Sequence, residues 1–270
     1  SVTVTFQRGQ ADMNDRIVAT TGNDTYDGGL GSDTVDYSAV TTAVSVDLSS
    51  GRAFGPGTQS LTSIENTIGT GQGDVITGNS SDNVIDAGSG NDRVNGGGGN
   101  DTFIGGLGDD RYDGGAGTDV LDYSSATRAI AVDDGDVTGR GSDRYSNVEK
   151  IVGSKFADTF QGGKNVDAFD GGAGNDWFRG YEGSDIFSGG AGSDTFVWDE
   201  KDVVSGKKSQ GVDTITDFGA GDRLDLSDMT DGVLGLNNFF GVNPATLVKV
   251  TDTAAGSMVS VKVGSSFYDV

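Results

Sequence analysis

"GGGGNDTFIGGLGDDRYDGGAGTDVLD", residues 96–122, is three nine-residue units in succession, each a glycine-rich turn of six residues followed by three residues with strand character. The sixth position is aspartate in all three: Asp101, Asp110 and Asp119. Two positions later stands a side chain suited to burial, Phe103, Tyr112 and Leu121. Glycine loses more conformational freedom on folding than any other residue. Its recurrence at fixed places therefore points to backbone conformations that other residues do not reach.

The period extends outward in both directions. Across 69–122 the polar anchor falls at Asp74, Asn83, Asp92, Asp101, Asp110 and Asp119, with Ile76, Ile85, Val94, Phe103, Tyr112 and Leu121 two positions on. Across 153–197 it falls at Asp158, Asp167, Asp176, Asp185 and Asp194, followed by Phe160, Phe169, Phe178, Phe187 and Phe196. A shorter block within 1–36 holds Asp15, Asp24 and Asp33 with Ile17, Tyr26 and Val35, which makes fourteen units in three blocks.

A short strand after each turn, always in the same sense, winds a solenoid in which two units form one coil and parallel strands lie about 4.8 Å apart. Aspartates eighteen residues apart then fall into rows: Asp92 with Asp110, Asp101 with Asp119, Asp176 with Asp194. Two such charges about 5 Å apart repel by about 3 kcal/mol at an effective dielectric of 20. A calcium ion between turns reverses that term, because it takes six to eight oxygens from carboxylates and backbone carbonyls. Glycines at positive φ turn those carbonyls toward the ion. In a metal-free solenoid the aspartates would only cap turns, a job that does not call for like charges in rows.

The GGxGxDxUx pattern resembles the RTX (repeats-in-toxin) family, and the resemblance covers roughly half the chain. It implies a right-handed parallel β-roll and an all-β fold in which RTX solenoid blocks alternate with β inserts and end in a β-rich C-terminal cap. It also implies calcium-ligand roles for Asp92, Asp101, Asp110, Asp119, Asp176 and Asp194, with carbonyls from Gly97, Gly99, Gly106, Gly108, Gly115 and Gly117. Carried over the remaining units, it adds Asp24, Asp33, Asp74, Asp158, Asp167 and Asp185, with Gly88, Gly90, Gly172, Gly174, Gly183, Gly190 and Gly192. Several turns depart from the pattern: GNSSDN (78–83) ends in Asn83, while GSKFAD (153–158), GGKNVD (162–167) and QADMND (10–15) lack turn glycines.

Composition narrows the chemistry. Acidic residues outnumber basic ones by 41 to 18, a net charge of -23, so nucleic acid and anionic lipid are not expected partners. About ten calcium ions, one per adjacent pair of good turns, would add roughly 20 positive charges and nearly cancel that excess. Histidine and cysteine are absent, which removes the commonest general base, the thiol nucleophile and the usual zinc ligand sets. No apolar run approaches the length of about 20 residues that spans a bilayer, and SVTVTFQRGQ lacks the pattern of a signal peptide. A start at Ser1 rather than methionine leaves an upstream segment open, and a stop at SSFYDV inside an expected strand leaves a further C-terminus open.

The chain also repeats on a larger scale. DTVDYSAVTTAVSVDLSSG (33–51) returns as DVLDYSSATRAIAVDDGD (119–136), and SIENTIGTGQGDVITG (63–78) as NVEKIVGSKFADTFQG (147–162). The resulting organisation is a short RTX block with an N-terminal strand (1–36), a β insert (37–68), six nonapeptides (69–122), a duplicate insert (123–152), five nonapeptides (153–197) and a C-terminal region (198–270). AVSVDL and AIAVDD alternate as half-buried strands do, and 51–62, GRAFGPGTQSLT, reads as a protruding loop. The stretch DTITDFGAGDRLDLSD (213–228) resembles the segment that opens the cap of type I-secreted RTX proteins, with a hairpin expected through TDTAAGS.

A paired-carboxylate enzyme would need candidates such as Glu65, Asp133, Asp134, Asp136 or Glu149. Glu65 and Glu149 occupy equivalent places in the duplicated segments, which suggests a shared structural job. Serines lack a histidine base, and Lys150 and Lys155 would need burial to serve as bases. Trp177, Tyr181 and Trp198 are weighed as sugar-stacking residues against plain packing. The expectation is a non-enzymatic chain with no catalytic residues, secreted, extracellular or at the cell surface, acting as a structural or adhesive component of a surface layer, filament or matrix. Expected partners are the type I secretion machinery and either further copies of the chain or a cell-surface polysaccharide, without membrane insertion. The alternative is the C-terminal folding and secretion module of a larger exported enzyme or toxin, such as a serralysin-like protease or an alginate epimerase.

Overall fold

The computed structural model of the chain describes residues 3–5, 14–198, 213–225, 248–253, 256–263 and 266–269. Much of 198–270, including the expected opening of a secretion region beyond residue 225, lies outside the described residues. Among the described residues there is no helix, and hence none long and apolar enough to cross a membrane. Most strands are three residues long with only the middle side chain buried, as in Val84–Asp86 and Thr102–Ile104.

Two compact units divide the chain, one of residues 1–125 and 135–149, the other of 126–134 and 150–270. In the first unit, Val75–Thr77, Arg93–Gly98 and Arg111–Ala116 pair in parallel, with Ile76 opposite Val94 and Val94 opposite Tyr112. A second parallel sheet pairs Asn66–Ile68, Val84–Asp86, Thr102–Ile104 and Val120–Asp122, with Ile85 opposite Phe103 and Phe103 opposite Leu121. These partners are eighteen residues apart, so two nonapeptides make one coil, one strand in each sheet. The middle residues Ile76, Val94 and Tyr112 of one sheet and Ile85, Phe103 and Leu121 of the other are all buried and form the core. The fold is an all-β parallel β-roll.

The second unit repeats the scheme. Thr159–Gln161, Trp177–Arg179, Thr195–Val197 and Arg223–Asp225 form one sheet, and Lys150–Val152, Ala168–Asp170, Ile186–Ser188 and Thr214–Ile215 the other. Phe178 stacks between Phe160 and Phe196, with ring centroids 4.9 and 5.0 Å away. This column is the direct result of an eighteen-residue register acting on phenylalanine every nine residues. A separate antiparallel sheet comprises Val248–Thr253, Gly256–Val263 and Ser266–Asp269, and its first pair is the hairpin expected through TDTAAGS.

Two expectations need correction. The stretch 51–62 is not a protruding loop. Arg52–Phe54 runs antiparallel between Ser45–Asp47 and Thr58–Thr62, and Thr58–Thr62 runs parallel to Thr25–Asp27. Ala53, Gln59 and Leu61 point into the core while Arg52, Phe54 and Ser60 face outward, an alternation that the glycines at 51, 55 and 57 obscure in the sequence. Nor are all strands three residues long. Arg93–Gly98 and Arg111–Ala116 continue into their turns, where Gly97 pairs with Gly115 and Gly98 with Ala116.

Candidate calcium turns

Most turns end on an aspartate that is almost fully buried: Asp33, Asp92, Asp101, Asp119, Asp176, Asp185 and Asp194 are at most 3% exposed. The carboxylates form ladders along the coils. In the first unit the amide of Asp74 donates to Asp92 Oδ1 at 2.7 Å, that of Asp92 to Asp110 Oδ1 at 2.8 Å, and that of Asp110 to Asp143 Oδ1 at 3.0 Å. On the other edge Asn83 donates to Asp101, Asp101 to Asp119 at 2.7 Å, and Asp119 to Glu149 Oε2 at 2.7 Å. In the second unit Asp158 donates to Asp176, Asp176 to Asp194 and Asp194 to Asp222, while Asp167 donates to Asp185 and Asp185 to Asp213.

One oxygen of each carboxylate is thus occupied by the neighbouring coil. The second, Oδ2, has no hydrogen-bond partner in Asp33, Asp92, Asp101, Asp119, Asp176 and Asp194. A buried carboxylate oxygen without a donor is costly. Burial, augmented by the neighbouring aspartates, pushes Asp92 and Asp176 up to about 7 and Asp101 and Asp110 up to about 6. Burial likewise raises Asp119, Asp158, Asp167 and Asp194.

The glycines frame these oxygens in two ways. Gly88, Gly90, Gly97, Gly99, Gly108, Gly115, Gly117, Gly172, Gly174, Gly183, Gly190 and Gly192 have positive φ, and the carbonyls of Gly90, Gly99 and Gly174 point at the α-carbons of Gly108, Gly117 and Gly192 one coil on, leaving no room for a Cβ. The first glycine of the unit is required for another reason: a Cβ on Gly96, Gly114, Gly171 or Gly189 would run into Oδ2 of the aspartate five residues later.

Gly106 departs from expectation, lying outside the positive-φ region. Its amide donates to the Tyr112 hydroxyl at 3.3 Å, and that hydroxyl in turn donates to Asp110 Oδ2 at 3.2 Å. Thr20, Tyr26 and Asp24 make the same arrangement, with the Thr20 amide donating to the Tyr26 hydroxyl and that hydroxyl to Asp24 Oδ2. Tyrosine two positions after the aspartate therefore satisfies the carboxylate from within the protein. Asp74 and Asp158 are also satisfied internally. Thr70 donates its amide and hydroxyl to Asp74, and Ser154 does the same for Asp158. Asp167 accepts the amide of Gly163.

Among the described residues no three carboxylates converge on one point, so an ion here must draw most of its oxygens from the backbone. The turns fit calcium on that basis. Oδ2 of Asp92, Asp101, Asp119, Asp176 and Asp194 supplies charged donors, and the glycine-lined carbonyls supply neutral ones, which is the hard-oxygen set calcium takes. A bound ion brings the positive charge that the rows lack.

Some members of the ladders lie outside the nonapeptides assigned from sequence. Glu65 accepts from the amide of Asp33, as Glu149 does from Asp119, which gives both the shared structural job that their equivalence suggested. Asp213 and Asp222 were missed, although they are nine residues apart and GAG precedes Asp222. The fifth turn position carries a second ladder, in which Asn91 accepts from the Asp109 amide and Asn100 from the Thr118 amide. Of the residues weighed as sugar-stacking, Trp198 is buried with its indole N–H on Asp213, and Tyr181 lies against the Arg179 guanidinium at 4.1 Å.

Stacked coils with buried carboxylates and positive-φ glycines recurring at the turns define a calcium-binding parallel β-roll. Residues 12–39, 68–103, 88–121, 146–177 and 161–196 match the model of the RTX calcium-binding nonapeptide repeat (4 copies), and the chain belongs to that family. The repeats bind calcium, and the family is typical of secreted proteins. No curated protein matches the chain.

Proposed function

We propose that this chain is a non-enzymatic protein that folds on calcium after export by a type I secretion machinery and serves outside the cell as a structural or adhesive component of a surface layer, filament or matrix. The observation that carries the reading is the unpartnered Oδ2 in Asp33, Asp92, Asp101, Asp119, Asp176 and Asp194. At the low calcium of the cytosol these buried charges oppose folding, and the chain remains exportable. At millimolar calcium, ions at the turns bind the folded chain alone and stabilise it. The number of ions is smaller than the count of turns, since Asp24, Asp74, Asp110 and Asp158 take hydrogen bonds from hydroxyls of the protein.

Support for a non-catalytic role comes from what the carboxylates do. Glu65 and Glu149 hold backbone amides, and Asp136 pairs with Arg144, so these acidic residues already have structural work. The test is light scattering on the eluting protein as calcium is raised from EGTA to about 10 mM, the upper end covering weak extracellular sites. Growth into high-mass assemblies on folding supports the structural role. A calcium-folded chain that stays monomeric and binds no polysaccharide counts against it and favours the module of a larger exported enzyme.

A further inference from the structure

Unit 1 is strongly acidic, and no lysine precedes Lys150. Yet Arg93, Arg111 and Arg144 stand directly opposite one another on three adjacent parallel strands, all exposed on the outer face of the sheet. Like charges opposite each other in a sheet are destabilising, and the strands could carry threonine here, as the second unit does at Thr159 and Thr195. Among the described residues no carboxylate lies within ion-pair distance of Arg93 or Arg111, and Arg144 reaches only the exposed Asp136 at 3.2 Å. Arg93 and Arg111 are therefore without an ion-pair partner among the described residues, and Arg144 has a single exposed one.

Beside it runs a second outward row, two residues further along each strand: Thr77, Asn95, Asp113 and Ser146. Together the rows line a shallow trough of about 320 Å³. One side of the trough offers guanidinium forks at the spacing of neighbouring strands, and the other offers hydroxyl, amide and carboxylate groups. Guanidinium forks bind carboxylates in bidentate fashion, whereas Thr, Asn, Asp and Ser exchange hydrogen bonds with hydroxyls. A linear chain that carries both groups in alternation is an acidic polysaccharide.

We propose that the Arg93, Arg111 and Arg144 row, with Asn95 and Asp113 beside it, is a binding site for a uronate-containing polysaccharide laid across the strands. Nucleic acid fits less well. Asp113 would face a phosphodiester with like charge, and of the two tyrosines that line the trough Tyr112 is buried and Tyr145 half-buried, which leaves little ring face for bases to stack on. The inference rests on the extracellular reading for its partner but not on calcium for its chemistry. The amides of Arg93, Arg111 and Arg144 do bond to the carbonyls of Asp74, Asp92 and Asp110, so the row is held in register by the turns.

The test uses the calcium-loaded chain, with hyaluronan oligosaccharides as the uronate probe, dextran as the neutral control and a single-stranded oligodeoxynucleotide as the polyphosphate control. The chain is expected to bind hyaluronan in a salt-sensitive way and to ignore dextran. Arg93→Gln and Arg111→Gln are each expected to weaken binding about tenfold, the loss of one charged hydrogen-bonding group, with the circular dichroism of the calcium form unchanged. Equal binding by the variants, tighter binding of the oligonucleotide, or no binding to hyaluronan overturns the site. Folding is read separately. A chain whose fold ignores calcium but which binds hyaluronan through these arginines overturns the calcium reading and leaves the site standing.

Discussion

The amide of Asp101 donates to Oδ1 of Asp119 at 2.7 Å, one coil further along, while Oδ2 of the same Asp119 carboxylate is buried and has no partner. The contact separates two roles within one side chain. One oxygen ties neighbouring coils together, and the other waits for a cation.

Asp119→Asn separates those roles experimentally. The amide oxygen still accepts from Asp101, but the charge is gone, so calcium affinity is expected to fall about tenfold or more at that turn. Asp74→Asn is the contrasting variant, because Thr70 already satisfies that carboxylate, and calcium affinity there is expected to change little. Calorimetric calcium titrations of the two variants provide the comparison.

Gly117→Ala forces a Cβ against the Gly99 carbonyl at a φ of 154, whereas a Cβ on Gly71 meets nothing within 4 Å. The first substitution is expected to destabilise the calcium-loaded chain by about 1–3 kcal/mol, the second to leave it near wild type. Thermal denaturation at fixed calcium compares them.

Glu149→Ala removes the acceptor for the buried end of the ladder at Asp119. An unsatisfied amide is expected to cost about 1–3 kcal/mol, and Glu149→Gln, which keeps an acceptor oxygen, should recover most of it. Urea midpoints distinguish the two.

Acid should act oppositely with and without calcium. Burial holds Asp92 and Asp176 at about 7 and Asp101 and Asp110 at about 6 in the metal-free fold, above the ordinary value of about 3.9. Between about pH 4 and pH 7 the folded chain therefore binds more protons than the unfolded one, and metal-free stability rises as pH falls through that window. Calcium requires the deprotonated carboxylates, so the stability it adds shrinks over the same range. Denaturation curves in calcium should show lower stability at pH 5.5 than at pH 7.5, whereas circular dichroism in EGTA should show β structure gained at pH 5.5 relative to pH 7.5.

Phe178 and Phe103 show why so much of this fold is legible in the sequence. A nine-residue period places one inward side chain per strand, two periods make a coil, and the column from Phe160 to Phe196 follows from that arithmetic alone. The turn aspartates are legible for the same reason. What escaped notice depended on contacts across coils that keep no fixed spacing. Asp143 and Glu149 enter the ladders from 33 and 30 residues away because an insert intervenes. Tyr112 looked like a core residue, and its hydroxyl becomes visible as a partner of Asp110 only when the turn is built. The strands of 51–62 were hidden by glycines that mark turns between strands rather than a loop.

The central claim is that calcium at the turns makes this chain fold. The most direct measurement is far-UV circular dichroism of the chain during a calcium titration from EGTA to about 10 mM, repeated with magnesium. The account predicts an unfolded spectrum in EGTA, a cooperative transition to β structure with calcium, and a much weaker response to magnesium. A β spectrum that persists unchanged in EGTA at neutral pH would contradict it.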